Sequence, residues 1–388
     1  MSEIRGLVGL RPVDNEAMVR ISVPPYDVIK PGSKLEEVLR DNPSSLYHIT
    51  LGNFPEVSLS ELIDREELIK DDVASFYIYE QQYGQVTRTG VLTATKVTPY
   101  EEGKIIRHEK TFDDKVKGRL ELRRKTGYTF EPVFLLTKAP LDNLLQEIKA
   151  KYQPLYQFTS NLQANSELHG IRNRVFRVEE DSQEGALLKE MISQGPLYIA
   201  DGHHRYHASL LNKQTHCLAY ICETKEAKIQ AYNRVVKGIV PFEKIRDRLP
   251  LVETEEFRTP PKHHFALYSA QGAYHLKAQS VPETDPVARL DCSILERELY
   301  PLLGLNKQMI TDSRYFDYYP EQDLKKMCQV VDEGQYDLAI ALHPVSSEEL
   351  LAVADAGIVD TDIVMPEKST FFAPKILSGI VIYKHTID

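Results

Sequence analysis

The sequence predicts a mixed α/β fold. Short β-branched and aromatic runs alternate along the chain with stretches whose apolar residues recur at helical spacing, and neither a low-complexity tract nor an internal repeat interrupts them. At 388 residues and 42% hydrophobic content, the chain is also long enough for two ordinary domains or one domain with a large insertion.

The elements follow in order. "VPPYDVI" opens with Pro24 and Pro25, which fix an extended entry and hold Tyr26 and Asp27 in a set position. "DVASFYIYEQQYGQVTRTGVLTATK" reads as two strands joined at "YGQ", hence a hairpin. "KVKGRLELRRK" is charged, with little apolar spacing beyond Leu120 and Leu122, and predicts an exposed helix. "PLDNLLQEIKAKY" carries Leu141, Leu144, Leu145 and Ile148 at helical spacing, and "EGALLKEMISQG" repeats that pattern up to a candidate C-cap at Gly195. "PLYIAD", "HCLAYICE" and "IQAYNRVVKGI" are strand candidates. A shift toward proline and charge in "ETEEFRTPPKHHF" predicts a boundary or long loop, dividing the chain into an α/β domain over 1–250 and a C-terminal α/β segment over 251–388. Beyond it lie the amphipathic "DCSILERELYPLLGL", the apolar "YDLAIALHPV", the polar turn "MPEKSTFFAPK" and a last strand "KILSGIVIYK".

Composition narrows the partners. A formal net charge of -10 lacks the basic field of a general nucleic-acid binder, which argues against nucleic acid as a partner. The N-terminus has no basic region followed by an apolar run, so no signal peptide is expected, and no apolar stretch approaches the roughly 20 residues that cross a bilayer. Four scattered cysteines, Cys217, Cys222, Cys292 and Cys328, do not form a disulfide framework; they read as small buried hydrophobes in a reducing cytoplasm.

The chemistry concentrates in "GPLYIADGHHRYHASLLNK". An apolar strand ends in Asp201, Gly202 makes the turn, and a helix begins with His203, His204 and Arg205. Strand ends of α/β sheets carry ligands, and a helix start offers free N–H groups to an anion. Arg205 suits a bidentate phosphate contact, and the histidines suit hydrogen bonding or proton movement near neutral pH. Asp201 also suits a helix N-cap, which alone accounts for it. A metal reading uses Asp201, His203 and His207, since 203 and 207 share a helix face, although the glutamate of a zincin is replaced by His204.

Two further polar segments are candidates. In "RHEKTFDDK", Glu109 suits a general base or a water-mediated Mg²⁺ contact, and Arg107 suits a phosphate; a salt-bridged surface turn explains the segment equally. In "MPEKSTFFAPK", Lys368, Ser369 and Thr370, with Lys375 nearby, could close over an anionic ligand, but the segment lacks the glycines of a Walker loop.

On "VPPYDVI", "NPSSLYHIT", "RHEKTFDDK", "PVFLL", "IADGHHRYHASL", "NRVVKG" and "MPEKSTFFAPKILSGIVI", in that order, the chain resembles the bacterial and archaeal family called domain of unknown function 1015. Over about 20 residues, the strand, "DGHHR" and helix are similar to the nucleotide-binding motif of the ParB and sulfiredoxin superfamily, and within it to the free-serine kinases. That resemblance implies a ParB/sulfiredoxin-like core in which Asp201, Gly202, His203, His204 and Arg205 form the phosphate and catalytic loop. It implies ATP or ADP as the nucleotide and the hydroxyl of a small metabolite, serine foremost, as acceptor. Phosphoryl transfer further leads to an expectation of Mg²⁺, with Asp201 as its ligand, and of Glu109, or failing it Asp27, as base. Two alternatives stay open: a nucleotide sensor or partner-binding protein without rapid turnover, and a metal-dependent hydrolase on Asp201, His203 and His207. A homodimer is the assembly allowed for.

Overall fold

The computed structural model describes residues 2–111, 113–161 and 169–387. The chain is mixed α/β and divides into two units, one formed by Met1–Ala227 with Pro374–Asp388 and the other by Lys228–Ala373. The division falls at Ala227 and returns at Pro374, whereas the sequence placed it near residue 250. Strand pairing accounts for both ends: Asn233–Val236 pairs with Phe316–Tyr319 and Leu338–Leu342 of the second unit, and Ile382–Lys384 inserts between Gly9–Pro12 and Tyr128–Thr129 of a four-stranded sheet, which ties the C-terminus to the first unit.

The main sheet of the first unit has nine strands: β1 (Ile4–Arg5), β2 (Ser75–Tyr83), β3 (Val86–Lys96), β4 (Ile105–Ile106), β5 (Val133–Thr137), β6 (Tyr156–Asn161), β7 (His169–Glu179), β8 (Leu197–Asp201) and β9 (His216–Glu223). Their order is β4-β8-β5-β9-β3-β2-β7-β6, and β1 continues the β2 edge of β3 at Thr95 and Ala94. β8 runs parallel to β4, and β9 parallel to β5; the remaining pairs are antiparallel. The β2–β3 hairpin turns at Gly84, whose φ of 56° a glycine adopts freely.

Strand alternation sorts the sheet into two chemically distinct faces. Phe76, Ile78, Val91, Val133, Leu135, Ile199 and Ile221 pack with Leu144, Leu145 and Ile148 of one helix and Leu188 and Ile192 of another. At about 25 cal/mol per Å² of apolar surface removed from water, such side chains stabilise the fold by about 2 kcal/mol each. The residues between them on β2, Tyr77, Tyr79 and Gln81, are equally buried but polar or aromatic. Here the C-terminal segment is anchored: Gln81 Nε2 donates to the Lys375 carbonyl at 3.0 Å, and Arg88 donates to the Pro374 carbonyl. Arg88 also lies over the rings of Phe134 and Tyr220.

Two helices carry the residues of interest, α1 (Asp113–Thr126) and α2 (His203–Leu211). Tyr206 of α2 enters the apolar core, and its hydroxyl donates to the Thr98 carbonyl at 2.8 Å. In the second unit a six-stranded antiparallel sheet, with His264–Ser269 and Leu338–Leu342 at its centre, is covered by Leu324–Asp332 through Met327, Val330 and Val331. All four cysteines are free, and Cys217, Cys222 and Cys292 are buried. Among the described residues no helix is long and apolar enough to cross a membrane.

Candidate functional site

Strand β8 ends at Asp201 and α2 begins at His203, so Gly202 alone makes the turn. Its φ of +94° is left-handed, and a Cβ there would stand 2.7 Å from Arg205 Nε. Glycine is therefore required twice, once by the backbone and once by the guanidinium that folds back over it. Arg205 Nη2 lies 3.2 Å from Asp201 Oδ1, and Nη1 donates to the Pro132 carbonyl. Asp201 does not cap the helix, since α2 has no side-chain cap. Its second oxygen instead meets Lys375 Nζ at 3.1 Å.

Two cations thus converge on one carboxylate at the start of a helix. Although burial opposes it, the charges of Lys375 and Arg205 hold the Asp201 carboxyl far below the usual carboxylate range. Lys375 arrives there because its own carbonyl and that of Pro374 are fixed by Gln81 and Arg88. Its residue type was visible in "MPEKSTFFAPK", but its place beside Asp201 was not.

The histidines divide in role. His203 is buried, and its Nε2 accepts from the His108 backbone N–H at 3.4 Å, which puts the ring proton of the neutral form on Nδ1. That Nδ1 faces Glu109 Oε2 at 3.6 Å. The His108 ring stands edge-on to His203 at 4.5 Å, with its Nε2 3.8 Å from Glu109 Oε1. Burial keeps His108 neutral, with its pKa pushed down to about 4. Burial and the neighbouring His108 hold His203 well below the ordinary histidine range as well. Two neutral imidazoles therefore surround the partly exposed Glu109 carboxylate. His204 is half-buried on the next position of α2.

His207 stacks on Tyr100, with ring centroids 6.2 Å apart and planes 5° from parallel. Among the described residues no three His, Cys, Asp or Glu side chains are gathered to hold a metal, so the Asp201, His203 and His207 set is not assembled. An Mg²⁺ on Asp201 fits no better, because both carboxylate oxygens already face a cation and the ion would have to displace Lys375 or Arg205. Arg107 lies over the Tyr100 ring at 4.7 Å. Lys368, Ser369 and Thr370 belong to the second unit. There Lys368 lies over Tyr232 at 5.3 Å, Ser369 donates to the Pro366 carbonyl, and Thr370 is buried.

"KVKGRLELRRK" is helical, but it is not simply exposed. Arg119 and Arg123 lie four residues apart on the face of α1 turned toward α2, and they are 9% and 4% exposed. Arg119 meets Glu131 Oε2 at 3.3 Å and covers the Tyr26 ring at 3.8 Å, while Glu131 Oε1 accepts from the Tyr26 N–H at 3.0 Å. This network pins "VPPYDVI", whose Pro25 has the extended ψ of 146° that the two prolines predicted. Asp27 is exposed within it. The spacing of Val116, Arg119 and Arg123 was a legible sign that the face is buried.

A family model described as "protein of unknown function (DUF1015)" matches residues 4–293. The chain belongs to this family. No curated protein matches the sequence of this DUF1015 member. Among solved structures, a conserved hypothetical protein from Pyrococcus furiosus is similar at 13% identity and a TM-score of 0.38, covering 73% of this chain and 93% of that one. A free serine kinase in complex with AMP is similar at 14% identity and a TM-score of 0.38, covering 72% and 89%. SbnI with a C-terminal truncation, from Staphylococcus aureus, is similar at 13% identity and a TM-score of 0.39, covering 76% and 87%.

Proposed function

We propose that the first unit of this DUF1015 member binds a nucleoside di- or triphosphate at the Asp201–Arg205 turn and transfers a phosphoryl group to the hydroxyl of a small metabolite, serine being the first candidate. The observation that carries this reading is the pair of buried cations, Arg205 and Lys375, held on one carboxylate where β8 meets the N-terminus of α2. Phosphoryl transfer asks a protein mainly for positioning and charge neutralisation. The N–H groups opening α2 and the Arg205 guanidinium supply donors for phosphate oxygens, and Lys375 adds a second positive charge.

Glu109 is the proposed base. His203 Nδ1 lies 3.6 Å from it, and both neighbouring imidazoles are neutral, so neither neutralises the carboxylate by a full charge. It accepts the proton of the acceptor hydroxyl as that oxygen attacks the terminal phosphorus, and the nucleotide departs with the bridging oxygen. His203, with both nitrogens directed at protein groups, is a positioning residue in this scheme. Asp201, engaged by Arg205 and Lys375, is not a metal ligand in this scheme.

Incubation of the full chain with ATP or ADP and L-serine, with and without added Mg²⁺, tests the reading by direct detection of phosphoserine. Product that accumulates with wild type and is reduced by Glu109→Gln supports it. Nucleotide binding without any phosphorylated serine or other hydroxyl compound would move the protein to the sensor class.

A further inference from the structure

Behind Arg205 lies a small cavity, in which the centre of a water-sized occupant has about 10 Å³ of room, lined by Arg119, Arg123, Thr129, Phe130, Glu131 and Arg205. Three guanidinium groups and one carboxylate meet around it, and each of the four side-chain bearers is at least nine-tenths buried. Glu131 is taken by Arg119 at 3.3 Å, and Arg205 has Asp201. Arg123 is different: its Nη1 donates to two neutral oxygens, Ser209 Oγ at 2.8 Å and Gln214 Oε1 at 3.1 Å, and among the described residues no carboxylate pairs with it. Two polar atoms of lining residues, Arg119 Nε and Thr129 Oγ1, are buried without a protein partner among the described residues. A buried guanidinium without a counter-charge is costly, and unsatisfied buried donors add to that cost.

We propose that this cavity is a binding site for a small monovalent anion of the halide class, chloride being the physiological member. The space admits one small spherical occupant and is too small for a phosphate group, so the proposal does not rest on the nucleotide reading even though Arg205 borders both places. An anion there supplies the missing charge beside Arg123 and accepts from the unpartnered donors; a neutral water would satisfy donors but leave the charge uncompensated. The bound ion would brace the face where α1 packs on α2.

Two measurements on the full chain without nucleotide test this. In crystals soaked in bromide, an anomalous difference peak is expected in the cavity between Arg119, Arg123 and Arg205. In solution, chloride or bromide at constant ionic strength is expected to raise the unfolding midpoint by roughly 2 °C over gluconate. Arg123→Gln, which keeps a donor but removes the charge, is expected to lose that halide-specific rise. Should the variant not fold, the bromide peak in wild type decides. Equal midpoints in halide and gluconate, or water without bromide in the cavity, would overturn the proposal and leave the nucleotide reading untouched.

Discussion

Lys375 Nζ lies 3.1 Å from Asp201 Oδ2 across 174 residues of sequence, so the C-terminal segment completes the charge balance of a turn in the middle of the chain. Removing one member of a buried charge cluster leaves the others uncompensated. Asp201→Asn, which strands both Lys375 and Arg205, is expected to cost about 3 kcal/mol of unfolding free energy. Lys375→Met alone costs less, because Arg205 still faces the carboxylate. The double variant falls short of the sum of the singles, and urea unfolding of the four proteins measures the coupling.

Acid sensitivity should begin well above the carboxylate range. Burial drives His108 and His385 down to about 4 and depresses His203 as well, so all three stay neutral in the folded chain at neutral pH. The unfolded chain takes up protons at these positions as pH falls below about 6.5. Their contribution is therefore complete above that value and is lost as pH falls toward 4, at up to about 1.4 kcal/mol per pH unit for each histidine. Asp201, whose folded value is depressed by its cations, adds a further loss once free carboxylates protonate near pH 4. Unfolding midpoints should hold from about pH 7.5 to about 6.5 and decline from there to about 4.5, and His108→Phe should flatten the decline.

Gly202→Ala tests the geometry of the turn. The new Cβ would stand 2.7 Å from Arg205 Nε on a backbone whose φ is +94°. Strain of about 1–3 kcal/mol is expected. Because the guanidinium must move, stabilisation by nucleotide should fall further than the loss of intrinsic stability explains, which comparison of each protein with its own ligand-free midpoint resolves.

Glu109→Gln separates binding from chemistry. If Glu109 is the base, the substitution lowers turnover by about 10²- to 10⁴-fold while leaving nucleotide affinity within a few-fold of wild type. Equal loss of both would make Glu109 part of the binding surface.

Strand, turn and helix around "DGHHR" were legible because an apolar run, a glycine and a second apolar periodicity are local signals. The hairpin at "YGQ" was legible for the same reason. Lys375 was not, since its placement depends on Gln81 and Arg88 capturing the carbonyls of a distant segment. Arg119 and Arg123 were misread for a different cause: arginine is ordinarily a solvent residue, and composition outweighed the four-residue spacing that put both on one buried face. The expected boundary near residue 250 followed prolines and charges, which are local signals, whereas the pairing of Ile382–Lys384 with Gly9–Pro12 and Tyr128–Thr129, which returns the C-terminus to the first unit, is not local.

Docking of phosphate on the Asp201–Arg205 turn is read by the thermal unfolding midpoint of wild type and Arg205→Ala with ATP, ADP, CTP or pyrophosphate, with and without Mg²⁺. Wild type should gain stability from at least one nucleotide in proportion to the logarithm of its concentration, and Arg205→Ala should lose most of that gain relative to its own baseline. A wild type that no phosphate compound stabilises, or a variant that responds as wild type does, would mean that phosphate does not dock at this turn.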